Sequence, residues 1–147
     1  MQIREIMTEG VVTAESGASV REVAELMRDR NVGSVVLVDA GRPVGVVTDR
    51  DLAVNIVAYE RSTGDRARQH ASAPVVTGTP DMDLEEAAAE MVRARIRRLP
   101  VMDGDELVGI VTMDDLAVKT GDLELAVQMT SKVAAAVFPD FYFHSRG

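Results

Sequence analysis

The chain has 147 residues, of which 46% are hydrophobic, and it contains no cysteine. This composition predicts a folded globule, excludes disulfides and thiolate metal sites, and suits a reducing cytoplasm. The formal net charge of −8 disfavours nucleic-acid binding, because an acidic surface repels phosphate backbones. No apolar run approaches the ~20 residues of a membrane helix, and the start lacks the apolar region of a secretion signal. We therefore expect a cytoplasmic protein that makes no membrane contact.

The sequence repeats itself without a gap when it is shifted by 64 positions. Residues 11–13 (Val-Val-Thr) recur at 75–77, and residues 51–54 (Asp-Leu-Ala-Val) recur at 115–118. Identities at a fixed period indicate a duplicated structural unit.

Each repeat shows the same order of predicted elements: strand, helix, two strands joined by turn residues, and a second helix. In the first repeat, strands are expected at 11–14, 35–38 and 44–47, with helices beginning after Ser19 and at Thr48. In the second repeat, strands are expected at 75–77, 99–102 and 107–111, with helices beginning after Asp83 and at Thr112. Ser19 and Asp83 each precede a glutamate by three positions, which predicts a capping box at both helix starts.

The predicted fold class is therefore mixed α/β (α+β), with two tandem β-α-β-β-α repeats. We expect the first repeat at 1–59, a polar linker at 60–73, the second repeat at 74–122, and a C-terminal helix with an aromatic tail at 123–147. One unit of about 55 residues buries little apolar surface alone. The two repeats are therefore expected to pack face to face about a pseudo-twofold axis.

Two phrases, one in each repeat, resemble the signature of CBS domains. They are Gly45-Val-Val-Thr-Asp-Arg-Asp-Leu52 and Gly109-Ile-Val-Thr-Met-Asp-Asp-Leu116. Ile6-Met7-Thr8 and the segment 96–101 (Ile-Arg-Arg-Leu-Pro-Val) also match family features. The resemblance covers residues 3 to 119, and the chain looks like a standalone bacterial tandem CBS-domain protein, a Bateman module.

The resemblance implies a disc-like module that often dimerises and that holds an adenine nucleotide or adenosyl ligand in a cleft between its repeats. AMP, ADP, ATP, NAD and S-adenosylmethionine are the expected ligands, and no cofactor is required. Such modules regulate other proteins. The resemblance therefore predicts a homodimer that signals in trans to an unknown regulated protein.

The signature residues Thr48, Asp51, Thr112 and Asp115 have two interpretations that can both hold. A threonine followed three positions later by an acid caps a helix. A helix start also favours a phosphate, and an aspartate can accept two hydrogen bonds from a ribose diol.

By the resemblance, each cleft draws residues from both repeats. The cleft built on Asp115 uses Thr112, Arg97, Arg98 and the entry segment from Thr8 to Val12. The cleft built on Asp51 uses Thr48, Arg50, Gly33, Ser34 and the entry segment from Ser72 to Val76. The sequence favours the Asp115 cleft slightly, because Arg97 and Arg98 can pair with phosphate oxygens. Asp114 would oppose a phosphate there.

Acids beside the two signatures could hold Mg²⁺ with bound phosphates, although acids at a helix start explain them as well. A cluster of aromatics from Phe138 to Phe143 is expected to fold back onto the module, or to pack across a dimer interface or onto a partner, with the dimer favoured. The alternative function is a ligand-free interaction and dimerisation module. An enzyme is not expected, because no nucleophile–base pair, phosphate loop or metal set is recognisable.

Overall fold

The computed structural model describes residues 1–72 and 75–119. In chain order the elements are a 3-10 helix Ile3–Glu5, β1 Thr13–Glu15, α1 Val20–Arg30, β2 Ser34–Asp39, β3 Arg42–Thr48, α2 Asp49–Leu52 continued by a π-helical turn Ala53–Val57, a 3-10 helix Ala67–His70, α3 Leu84–Ala94, β4 Arg98–Asp103, β5 Glu106–Thr112 and α4 Met113–Lys119. The mixed α/β class and the duplicated element order are confirmed. The predicted C-terminal helix and aromatic tail lie outside the described residues.

The chain folds into two compact units. Each unit consists mainly of one repeat, together with the segment that leads into the other repeat. The first-motif unit contains residues 10–72, 75 and 105–107, and the second-motif unit contains residues 1–9, 76–104 and 108–119. The start of the chain therefore folds with the second signature, and the segment after residue 60 folds with the first.

The first-motif unit is built on a three-stranded sheet in the order β1-β2-β3. Strand β1 runs parallel to β2, and β2 runs antiparallel to β3 with Val35 opposite Val47. Helix α1 begins at the predicted capping box, in which Ser19 Oγ accepts from the N–H of Glu22 at 3.1 Å. The core of this unit consists of Ala18, Val23, Met27, Val35, Leu37, Val47 and Ala67.

The second-motif unit has a two-stranded sheet of β4 and β5. Its core consists of Ile3, Ile6, Leu84, Ala87, Ala88, Met91, Leu99, Val101, Val111 and Leu116. The strand predicted at 75–77 is reduced, within the described residues, to a single parallel bridge between Gly78 and Val101. Two prolines explain the loss. In the first repeat Val36 N donates to Val12 O at 3.0 Å and Ser16 N donates to Val38 O at 2.8 Å, whereas the equivalent donors in the second repeat, Pro100 and Pro80, have no N–H.

The capping box predicted at Asp83 is wrong. Asp83 is exposed and makes no side-chain cap bond, so its carboxylate stays in water. Backbone bonds to the entry segments, meaning residues 1–9 and 60–72, hold the starts of both long helices, and at α1 they add to the Ser19 cap. Leu84 N donates to Met1 O at 3.0 Å, and at the equivalent position Val20 N donates to Asp65 O at 2.8 Å.

The segment predicted to be a loose linker is partly structured. Its 3-10 helix Ala67–His70 corresponds to Ile3–Glu5 at the start of the chain, and Ala67 and Ile3 are both fully buried. The side chain of His70 is buried, and its Nε2 lies 3.3 Å from Asp65 Oδ2. The two entry segments are therefore part of the duplicated structure, because they share a 3-10 helix with a buried first residue. Among the described residues, no helix is long and apolar enough to cross a membrane.

Candidate functional site

Each signature closes a reciprocal cap at the start of the helix that follows it. Thr48 N donates to Asp51 Oδ2 at 2.9 Å, and Asp51 N donates to Thr48 Oγ1 at 3.1 Å. In the second copy, Thr112 N donates to Asp115 Oδ2 at 2.8 Å, and Asp115 N donates to Thr112 Oγ1 at 3.1 Å. The capping interpretation is confirmed in both repeats. The cap leaves the outer oxygen, Oδ1, of each carboxylate for another partner.

The strand residues named as site candidates lie beside these caps. Arg97 O accepts from Met113 N at 3.1 Å, and Gly33 O accepts from Asp49 N at 3.0 Å. Arg98 and Ser34 follow as the first residues of β4 and β2, and both are half-buried. Within each unit, the backbone therefore brings the strand start to the first turn of the signature helix.

The entry segments reach the same place by antiparallel backbone bridges. Thr8 pairs with Ile110 in the second-motif unit, and Ser72 pairs with Val46 in the first-motif unit. Thr8 N donates to Ile110 O at 2.9 Å, which fixes Thr8 on the strand that leads to Thr112.

The glycine of each signature makes room for this crossing. A β-carbon at Gly109 would lie 2.6 Å from Met7 Sδ and 3.2 Å from Thr8 O, and one at Gly45 would lie 2.8 Å from the β-carbon of Ala71. Atoms that close overlap, so a side chain at either position would have to displace its neighbours. The glycine in the signature thus has a packing reason that is independent of any ligand.

The two segments expected to enter the clefts, Thr8 to Val12 and Ser72 to Val76, are each divided between the two units. Val12 belongs to the first-motif unit, where its O accepts from Val36 N at 3.0 Å. Val76 belongs to the second-motif unit and packs on its core. The structure therefore groups Thr8, Arg97, Arg98, Thr112 and Asp115 in one unit. It groups Val12, Ser34, Thr48, Arg50 and Asp51 in the other.

Lys119 lies beside Asp115 in the second-motif unit and was not predicted from the sequence as a site residue. Its Nζ lies 2.9 Å from Asp115 Oδ1 and donates to Ile6 O at 3.2 Å and to Thr8 Oγ1 at 3.3 Å. Two signals could have found it: it follows Asp115 by one helical turn, and the chain has only one other lysine, Lys132.

The two signature helices differ in charge beside the aspartate that both repeats share. Arg50 is exposed in the first copy, and the equivalent residue in the second copy is the exposed Asp114. Asp115 is only 6% exposed, whereas Asp51 is half-buried. The nearby arginines of the second repeat lie on the helix end: Arg93 pairs with Glu90, and Arg95 is the exposed left-handed C-cap of α3. Among residues 1–72 and 75–119, no group of three or more His, Cys, Asp or Glu side chains is placed to hold a metal ion.

Comparison with known proteins identifies the repeat. The family model described as "CBS domain" matches residues 3–58 and 67–119. The CBS domain-containing protein YhcV of Bacillus subtilis is 39% identical over 116 residues, which cover 79% of this chain and 83% of YhcV.

Solved structures show the same fold. The CBS domain protein PAE2072 of Pyrobaculum aerophilum, solved with AMP, superposes with a TM-score of 0.74 at 27% identity, covering 89% of this chain and 99% of that one. The CBS domain pair of MJ0100, solved with 5′-methylthioadenosine and S-adenosyl-L-methionine, gives a TM-score of 0.71 at 26% identity, covering 82% of this chain and 96% of that one.

Proposed function

Because the chain belongs to the CBS-domain family, with one matched domain in each half, we propose that it is a regulatory module that binds an adenine nucleotide or adenosyl ligand. The ligand class is AMP, ADP, ATP, NAD or S-adenosylmethionine, and bound phosphates can bring Mg²⁺ with them. The module acts by binding rather than catalysis, works in the cytoplasm, and signals in trans to another protein.

One observation carries the proposal: each signature presents an aspartate that the cap holds by one oxygen only. Oδ2 of Asp51 and of Asp115 accepts from the threonine N–H, and Oδ1 takes no part in either cap. A carboxylate fixed in this way is an acceptor for sugar hydroxyls. Relatives solved with AMP and with adenosyl compounds support this class of ligand.

The test is a thermal unfolding series with AMP, ADP, ATP, NAD and S-adenosylmethionine. Since a ligand that binds only the folded state stabilises it by about 2.7 kcal/mol at a hundred times its Kd, at least one compound should raise the Tm. The double variant Asp51→Asn, Asp115→Asn should lose the shift. The matched control is Asp39→Asn, Asp103→Asn, which neutralises exposed aspartates at equivalent strand ends and should keep the shift. A protein that responds to none of these compounds refutes the proposal.

A ligand-free interaction module is the second candidate, because both threonine caps are complete without any ligand. In that case the aspartates serve folding alone. The double variant would then lower the free energy of unfolding, and no compound of the series would change the Tm of either protein.

We also propose that the module forms a homodimer. Apolar side chains that follow both signatures are exposed, namely Val54 and Val57 in the π-helical turn, Tyr59 just after it, and Val118 in α4. Large apolar side chains that are exposed next to one another mark interaction surfaces. Sedimentation analysis of Val57→Glu, Val118→Glu tests this. The natural protein should sediment as a dimer and the variant as a monomer, and a monomeric natural protein contradicts the proposal.

A further inference from the structure

The outer oxygen of Asp115 already has a partner within its own unit. Lys119 Nζ lies 2.9 Å from Asp115 Oδ1, while Oδ2 is engaged by the Thr112 cap. Both carboxylate oxygens therefore have charged or backbone donors. A diol that approaches Asp115 would have to displace one of them.

The ammonium group is held from three sides. Besides Asp115, it donates to Ile6 O at 3.2 Å and to Thr8 Oγ1 at 3.3 Å, so each of its three protons has an acceptor. Two of those acceptors are on the entry segment that the Thr8–Ile110 bridge fixes in place. Lys119 thus fastens the signature helix to the entry segment and occupies the side of Asp115 that a ligand would need.

Burial strengthens this contact. The Asp115 side chain is 8% exposed and that of Lys119 is 43% exposed. Removing the partner of a buried charge leaves that charge uncompensated, which is costly. A neutral sugar hydroxyl is a weaker partner for Asp115 than the ammonium it would replace.

The first-motif unit lacks this arrangement. The residue equivalent to Lys119 is Asn55, which carries no charge and lies in the π-helical turn Ala53–Val57. Within the described residues, no side chain or backbone group engages Asp51 Oδ1. Asp51 is half-buried rather than buried, and Arg50 beside it is exposed and makes no ion pair in the described part of the chain. Among the described residues, Oδ1 of Asp51 therefore has no partner, whereas Oδ1 of Asp115 is paired with Lys119.

We propose that Lys119 is a built-in occupant of the second signature, which makes the two sites unequal and leaves the Asp51 signature to bind the ligand. The inference rests on the proposed function and adds to it a residue that determines which signature binds. It reverses the prediction from the sequence, which favoured the Asp115 cleft because of Arg97 and Arg98. Lys119 is a specificity-determining residue, because it acts through the carboxylate that it covers.

Isothermal titration of the full chain with AMP tests this directly. The natural protein should bind one AMP per chain, and Asp51→Asn should weaken that binding at least tenfold. Lys119→Asn gives the second signature the residue of the first, and it should raise the stoichiometry to two. Adding Asp115→Asn to Lys119→Asn should remove the gained site and return the stoichiometry to one.

The control is Arg21→Asn, which breaks an exposed ion pair of the same spacing, Arg21 with Glu25, and removes the same charge. It should leave the stoichiometry at one, and thermal melts of every variant should verify that it is folded. An Asp51→Asn variant that still binds one AMP, or a Lys119→Asn variant that stays at one, overturns the role of Lys119 while the proposed function stands. If neither the natural protein nor Lys119→Asn binds AMP or any other compound of the series, the proposed function falls, and the role of Lys119 in binding falls with it.

Discussion

The two units share a backbone plan but differ in the side chains and turns around their signatures. In the first-motif unit, the helix after the signature loosens into a π-helical turn at Ala53–Val57, and the sheet has three strands. In the second-motif unit, α4 stays α-helical from Met113 to Lys119, and the sheet has two strands. The duplication has therefore kept the hydrogen-bonded frame and changed the chemistry placed on it.

The same contrast appears in the entry segments. Ile6 is buried in the core of the second-motif unit, while the equivalent residue in the first-motif unit is His70, buried beside Asp65. The backbone bridges of Thr8 and Ser72 are nevertheless equivalent. An element held by backbone bonds tolerates such exchange, because those bonds do not depend on side-chain identity.

The largest expected difference between the units concerns the leucine of the signature helix. Leu116 is fully buried, whereas the equivalent Leu52 is only partly buried against its core. Leu116→Ala should lower the free energy of unfolding by about 3 kcal/mol and Leu52→Ala by about half as much, because the cost follows the cavity left behind. Urea unfolding measures both. Equal losses would contradict the looser packing of the first helix.

The signature glycines give the next contrast. Gly45→Ala should cost about 2–3 kcal/mol, since its added carbon meets the rigid β-carbon of Ala71 at 2.8 Å. Gly109→Ala should cost less, about 1–2 kcal/mol, because its closest obstacle is the flexible side chain of Met7. Thermal melts of the two variants rank them. If Gly109→Ala is the more damaging, the entry segment of the second-motif unit is the more rigid one.

The smallest expected contrast is at the starts of the long helices. Ser19→Ala should lower the free energy of unfolding by about 1 kcal/mol, because it removes a formed cap. Asp83→Ala should change it by only a few tenths of a kcal/mol, because Asp83 makes no cap bond. Urea unfolding of both variants is the measurement, and a loss of about 1 kcal/mol at Asp83 as well would show a cap that the structure does not contain.

Much of the frame could be predicted from the sequence, because side-chain patterns encode it. Apolar periodicity located α1 and α3, and the Thr-x-x-Asp spacing located the caps at Thr48 and Thr112. The 64-residue period also makes the two entry segments equivalent. It did not predict that each segment folds with the signature of the other repeat. Bridges such as Thr8 with Ile110 form between backbone groups, which leave no side-chain signature.

The site was predicted less completely. The sequence named Thr112, Asp115 and Thr8, but it did not show that Lys119 joins Asp115 to Thr8. That contact depends on where the first residues of the chain lie, which periodicity does not report. The strand lost at 75–77 could have been predicted from Pro100 and Pro80, since residues without an N–H cannot make the bonds that Val36 and Ser16 make.

The most direct test of the central claim is mass spectrometry of small molecules released from the protein after gentle purification. The natural protein should release an adenine nucleotide or adenosyl compound in a ratio near one per chain, and the double variant Asp51→Asn, Asp115→Asn should release none. A natural protein that carries no adenosyl compound, and takes none up when the compounds are supplied at millimolar concentration, would contradict the account.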